Sequence, residues 1–120
     1  MTSFTNLDVW KVAHEATLEL YRAVRGFPED ERFCLSLQMR RAAVSIEANI
    51  AEGSAKPTSR ERRRFYTFSR GSAEELRCCL IIARDLGYLS NAGGLFEKLD
   101  RVCAMLYRLM TPKVAPPQGN

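Results

Sequence analysis

RRAAVSIEANIAEGSAK, Arg40 to Lys56, decides the fold of this chain, because its small residues, isoleucines and polar side chains recur at helical spacing on more than one side. Extended upstream, one side holds Leu35, Met39, Ala42, Ala43, Ile46 and Ile50, and nearly the opposite side holds Phe33, Leu37, Val44, Ala48 and Ala51. Between them runs a polar seam of Gln38, Arg41, Ser45, Asn49 and Glu52, at steps of three, four, four and three residues. The spacing predicts a helix from Pro28 to about Glu52, with Glu29, Asp30 and Glu31 at the positive end of its dipole and Gly53 as its stop. Both apolar sides require burial and one bundle interior satisfies only one of them, so self-association is expected.

Downstream, Thr58-Ser59-Arg60-Glu61 reads as a capping box. It opens a helix to about Leu86, roughly 40 Å long at a rise of ~1.5 Å per residue. Phe65, Phe68, Ser72, Leu76, Cys79, Ala83 and Leu86 are its expected apolar stripe, with Arg60, Arg63, Arg64, Arg70 and Arg77 clustered on the far side. Gly71 in mid-helix costs about 1 kcal/mol relative to Ala, which predicts close approach of another backbone. Upstream, Trp10, Ala13, Thr17, Leu20, Tyr21 and Val24 give an amphipathic helix, capped by Thr5 or Asn6 and stopped at Gly26-Phe27-Pro28. Leu95, Leu99, Val102, Cys103, Leu106 and Leu109 mark a fourth helix that Pro112 ends. The predicted helices cover about 7–25, 29–52, 59–86 and 92–110, and no strand pattern or internal repeat is present.

The chain has 120 residues, 46% hydrophobic and 27% charged, which suits one globular domain, placed at 1–111. The tail, 112–120, has no core-forming residues and is expected to be disordered. Short connections between four amphipathic helices imply an all-α, antiparallel up-and-down four-helix bundle, because such loops cannot cross its length. No apolar run approaches the ~20 residues of a membrane span, and MTSFTNLDVW is not a secretory leader, so a cytoplasmic location is expected. Cys34, Cys78, Cys79 and Cys103 form no CxxC pair and are read as small, buried, reduced residues rather than disulfides or zinc ligands.

Of the net charge of +4, the middle carries most: nine Arg and one Lys against five Glu between Arg40 and Arg84 give +5. Arginine outnumbers lysine 14 to 4, and its planar fork suits carboxylate or phosphate. Arg60, Arg63, Arg64, Arg70 and Arg77 are therefore the candidate contacts to RNA or DNA, with Tyr66 and Tyr107 as possible stacking rings. The competing reading is a solvated face paired locally with Glu61, Glu74 and Glu75, or a protein-interaction scaffold that binds no nucleic acid. Repeated copies in an oligomer favour phosphate binding by adding contacts. No RRM, KH, zinc-finger or helix-turn-helix pattern appears, so charge and shape would be read rather than sequence.

No catalytic constellation emerges, and no enzyme activity, metal or cofactor is expected. His14 has no nucleophile beside it in sequence; Glu74 and Glu75 point to different helix faces; Glu-x-x-His and GxxxxGK spacings are absent. The seam of Gln38, Arg41, Ser45, Asn49 and Glu52 is read as hydrogen-bonding groups that fix helix register and subunit geometry, or as a ligand seam or oligomer lumen.

LDVWKVAHE at Leu7 to Glu15, the FPEDER turn, QMRRAAVSIEANIAEGSAK at Gln38 to Lys56, RFYTFSRGSAEEL at Arg64 to Leu76 and DLGYLS at Asp85 to Ser90 together resemble one family. It is that of the four-helix-bundle proteins encoded in intervening sequences of 23S rRNA genes, related in fold to the accessory variability determinants of diversity-generating retroelements. The resemblance implies an antiparallel four-helix bundle, assembly as a homopentamer and a basic surface toward nucleic acid. It supplies no catalytic residues. Glu47 departs from a proline common in relatives, and Ser69 from an alanine.

Overall fold

The computed structural model describes residues 3–111. They form four α-helices and no strand: α1 Asp8–Ala23, α2 Leu35–Ser54, α3 Ser59–Asp85 and α4 Gly93–Met110. Buried residues of all four meet in one core, from Val12 and Leu20 on α1 through Met39, Ile46 and Ile50 on α2 to Leu76, Leu80, Leu99 and Leu106 on α3 and α4. No helix among the described residues is long and apolar enough to cross a membrane. The tail expected to be disordered, 112–120, lies outside the described residues.

Cross-helix contacts order the four helices around this core. His14 meets Glu47 and Thr17 meets Ala43 between α1 and α2. Between α2 and α3, Gln38 meets Glu75, Ser45 meets Ser72 and Ile46 meets Ser69. Between α3 and α4, Thr67 meets Met110, Glu74 meets Cys103 and Arg77 meets Asp100. Lys98 to Glu19, at 2.7 Å, joins α4 to α1. At each seam crossed more than once, numbers rise on one helix as they fall on its neighbour.

Local chemistry explains both ends of α3. At α3, the Glu61 N–H donates to Thr58 Oγ1 at 3.2 Å, and the Thr58 hydroxyl donates to Glu61 Oε2 at 3.3 Å. Its other end turns on Gly87 at φ +79°, where the Gly87 and Tyr88 N–H groups reach the carbonyls of Arg84 and Ala83. Neither Thr5 nor Asn6 caps α1; Leu7 stands at its cap, and Ser3 Oγ instead accepts from the Thr5 N–H in a preceding 3₁₀ turn.

The start of the second helix also differs from expectation. Glu29–Glu31 form a separate 3₁₀ turn, Cys34 breaks the helical path at φ −116°, ψ −103°, and α2 begins only at Leu35. Glu31, expected inside the helix, caps it from outside: its carboxylate accepts the Leu35 N–H at 3.3 Å. Gly53 does not end α2, which runs to Ser54. It is buried where α2 meets α3, and a Cβ there would lie 2.8 Å from Tyr66 Cε1 and 3.1 Å from Phe65 Cβ. Gly71 shows the reverse, since nothing lies within 4 Å of a Cβ built on it, and the close backbone approach expected there is not made among the described residues.

The buried stripe of α3 is Tyr66, Ser69, Ala73, Leu76, Cys79, Leu80 and Ala83, rotated from the expected one; Phe68 and Leu86 are exposed and Phe65 and Ser72 half-buried. Small side chains allow the tight approach to α2: the fully buried Ser69 donates its hydroxyl to the Ile46 carbonyl at 2.8 Å, where a phenylalanine ring would not fit. Tyr21 and Leu109, also expected inward, are exposed. The cysteines are free, but only Cys79 is buried; Cys103 is half-buried and Cys34 and Cys78 are exposed, because the latter two sit outside the core stripes of α2 and α3.

Candidate nucleic-acid interface

Four arginines of α3, Arg63, Arg70, Arg77 and Arg84, recur every seven residues, which sets them about 10.5 Å apart along one side. That side faces α4. Arg77 is committed there: its Nη2 lies 2.6 Å from Asp100 Oδ1, and its Nε 3.6 Å from Glu74 Oε1. Burial works against the Arg77 charge, but the Asp100 hydrogen bond and charge, with Glu74, outweigh it and hold the guanidinium above its ordinary pKa. Arg84 pairs with Asp85 at 3.1 Å and lies 5.7 Å over the Phe96 ring.

The other half of α3 differs. Among the described residues no carboxylate forms an ion pair with Arg60, Arg63, Arg64 or Arg70, and all four are exposed. The five candidate contacts are not one row: Arg60 and Arg64 fall on the outer side of α3, with Arg64 over the Phe68 ring at 5.6 Å, whereas Arg63, Arg70 and Arg77 border α4. Arg62, outside the candidate set, is spent on structure, donating to the Lys56 carbonyl at 3.0 Å and to Ser59 Oγ at 3.1 Å. The acids expected to neutralise the run are used elsewhere: Glu61 in the cap, Glu75 on Gln38, and Glu74 on Arg77. Residues 59–72 thus hold five Arg against one Glu, or +4, while 73–85 hold two Arg against two Glu and one Asp, or −1.

Of the two candidate stacking rings, only Tyr107 is available. It is 60% exposed. Tyr66 is buried against Gly53, and burial raises its phenol pKa against the opposing charge of Arg62.

The polar seam divides as well. Ser45 and Ser72 hydroxyls lie 2.8 Å apart, and Asn49 Nδ2 donates to the Ser45 carbonyl at 2.9 Å and to its hydroxyl at 3.1 Å. These groups are half-buried and tie α2 to α3. Gln38 donates to Glu75 at 3.3 Å at the exposed end, where Gln38, Arg41, Ser45 and Glu75 line an open groove of about 650 Å³ with Phe33 and Leu37. Glu52 is exposed at the other end. Among the described residues no buried side-chain polar atom lacks a partner.

Some participants were not legible in the seam's own periodicity. Ser72 and Glu75 come from α3, and Ser69, noted only as an unusual serine, bonds across to α2. Glu47, noted only for replacing proline, meets His14 Nδ1 at 3.2 Å, and that imidazole stacks on Trp10 with ring centres 4.7 Å apart. The four-residue spacing of Trp10 and His14 was the available signal. Burial, followed by the Glu74 charge, pushes the Cys103 thiol pKa up against Arg77 and Arg70; burial, then Cys78 and Glu75, does the same to Cys79. No group of three or more His, Cys, Asp or Glu that could hold a metal occurs among the described residues.

No curated protein matches the chain. Residues 5–108, spanning the first three helices and most of α4, match the family described as 23S rRNA-intervening sequence protein. With that match over most of its length and four helices around one core, the chain belongs to the 23S rRNA-intervening sequence protein family.

Proposed function

We propose that this protein is a non-enzymatic, cytoplasmic homopentamer of antiparallel up-and-down four-helix bundles that binds RNA or DNA phosphates, with little sequence preference, through Arg60, Arg63, Arg64 and Arg70 of α3. The observation that carries the reading is the excess of +4 on residues 59–72, with these four guanidiniums exposed and free of carboxylate partners among the described residues. Arg77 contributes to the field of the surface rather than to direct contact, because Asp100 already occupies it. Several copies brought together multiply the phosphate contacts. The family is not a known enzyme family, in keeping with a binding role.

The outer side of α2 supports assembly. Val44 is 44% exposed there, with Leu37 and Ala48 on the same side; Phe33, just ahead of α2, is 76% exposed, and Leu18 and Tyr21 are exposed on α1. Such a surface favours covering by further copies. The opposed numbering across the helix contacts supports the up-and-down arrangement, and the half-buried part of the seam supports a structural role for Ser45 and Asn49.

Light scattering with and without a short structured RNA, at about 50 and 200 mM salt, tests both parts. Phosphate-driven binding weakens by orders of magnitude over that range. The expected result is five chains per particle, taking up RNA at the lower salt only. A pentamer that ignores RNA at both would move the reading to a protein-interaction scaffold, which the apolar outer side of α2 also suits; a monomer would overturn the assembly.

A further inference from the structure

We infer that Arg70 and Tyr107 together form a subsite for an unpaired nucleotide, so that this surface holds single strands more tightly than duplex; the inference rests on the phosphate-binding reading above. Three contacts fix how α3 and α4 face each other: Thr67 with Met110, Glu74 with Cys103 and Arg77 with Asp100. Arg70 lies one heptad from Arg77 and Tyr107 one heptad from Asp100, in the same direction along the seam. The place that Arg77 and Asp100 occupy as an ion pair is therefore held, two turns away, by a guanidinium and a phenol. Heptad spacing thus sets these two residues at one level of the seam, between the Thr67–Met110 and Glu74–Cys103 contacts.

Neither group is spent. Arg70 has no ion pair among the described residues, and Tyr107 is exposed and shares in none of the ring stackings or cation–π contacts found there. At the opposite end of the same seam Arg84 does lie over an aromatic ring, that of Phe96. A free ring beside a free guanidinium is what an unpaired nucleotide requires, the base stacking on the phenol and the phosphate meeting the arginine. A duplex keeps its bases stacked on one another and offers only phosphate.

Fluorescence anisotropy of the full chain with a uridine 10-mer RNA, a thymidine 10-mer DNA and a duplex of the same length, at about 50 mM salt, tests the subsite. Tyr107→Ala is expected to weaken binding of the single strands by about 5- to 150-fold, the range for one stacked base, leaving duplex affinity and the salt slope unchanged. Tyr107→Phe keeps the ring and should restore binding. Loss confined to the RNA strand would support the subsite and assign its ligand to RNA. If Tyr107→Ala leaves the single strands unaffected, or weakens the duplex equally, the subsite is wrong while binding lost on replacing Arg60, Arg63 and Arg64 keeps the phosphate reading. If the unaltered protein binds none of the three, both fall together.

Discussion

The two halves of α3 share one heptad of arginines and have opposite fates. In the second half, Arg77 and Arg84 each hold a carboxylate, and Leu76, Leu80 and Ala83 beneath them are fully buried. In the first half, the helix presents four guanidiniums with no carboxylate partner among the described residues and turns Phe68 to the outside, and its buried face is a tyrosine and a serine. Both halves pack into the fold, the first on α2 through Tyr66 and Ser69, but only the second holds its arginines in ion pairs. Arg84 draws on the next residue of its own helix, Asp85, whereas for Arg77 the difference comes from α4: Asp100 reaches it, and one heptad along α4 the corresponding residue is Tyr107.

The sharpest way to break this contrast is a core truncation. Leu80→Ala should cost about 2–5 kcal/mol of stability, read as a fall in the urea midpoint, while Phe68→Ala should cost less than about 1 kcal/mol at protein concentrations where the chain is monomeric. Equal effects would show that Phe68 is packed as tightly as the core. Next in size is the charge contrast. Replacing Arg60, Arg63 and Arg64 with Gln should reduce the slope of log affinity against log salt by about 2 to 3, and replacing Arg77 and Arg84 should leave it nearly unchanged. The same loss from both sets would mean that the ion pairs of the second half open on binding.

Two glycines give a smaller contrast. Gly53→Ala should destabilise by about 1 kcal/mol net, because overpacking against Tyr66 and Phe65 exceeds the gain in helix propensity. Gly71→Ala should stabilise by up to about 1 kcal/mol, since its Cβ enters open space. A lower midpoint for Gly71→Ala, together with loss of assembly, would place a neighbouring copy against the middle of α3. The smallest effect is on thiol labelling. Iodoacetamide near pH 8 should modify Cys34 and Cys78 before Cys79 and Cys103, whose raised pKa values leave less thiolate at that pH. Early labelling of Cys103 in peptide mass maps would show that the α3–α4 seam opens readily.

Four helices were legible because apolar spacing and breakers act locally: Thr58 and Gly87 cap α3 as their residue types require. The α2 start is not legible because nothing local distinguishes a carboxylate inside the first turn from Glu31 reaching forward from outside to cap it. The rotation of the α3 stripe is not legible because large rings look like core, and only packing against α2 shows that small Ser69 and Ala73 are the buried residues. At the candidate interface, the arginines were visible as residues but not as free or committed ones. Asp100 lies 23 positions from Arg77 in the chain, and no helical period links them.

The Ser69 hydroxyl on the Ile46 carbonyl has a mechanical consequence. Sliding α3 along α2 by one turn, ~5.4 Å, would strand that hydroxyl in a dry environment, an expensive intermediate for a small motion. Thr17, bonded to Ala13 and reaching the Ala43 carbonyl at 3.4 Å, imposes a similar stop on α1. Axial sliding is thus blocked where the chain is tightest, and the slowest amide hydrogen exchange should fall in the middle of α2 and α3, with the ends of α4 opening first.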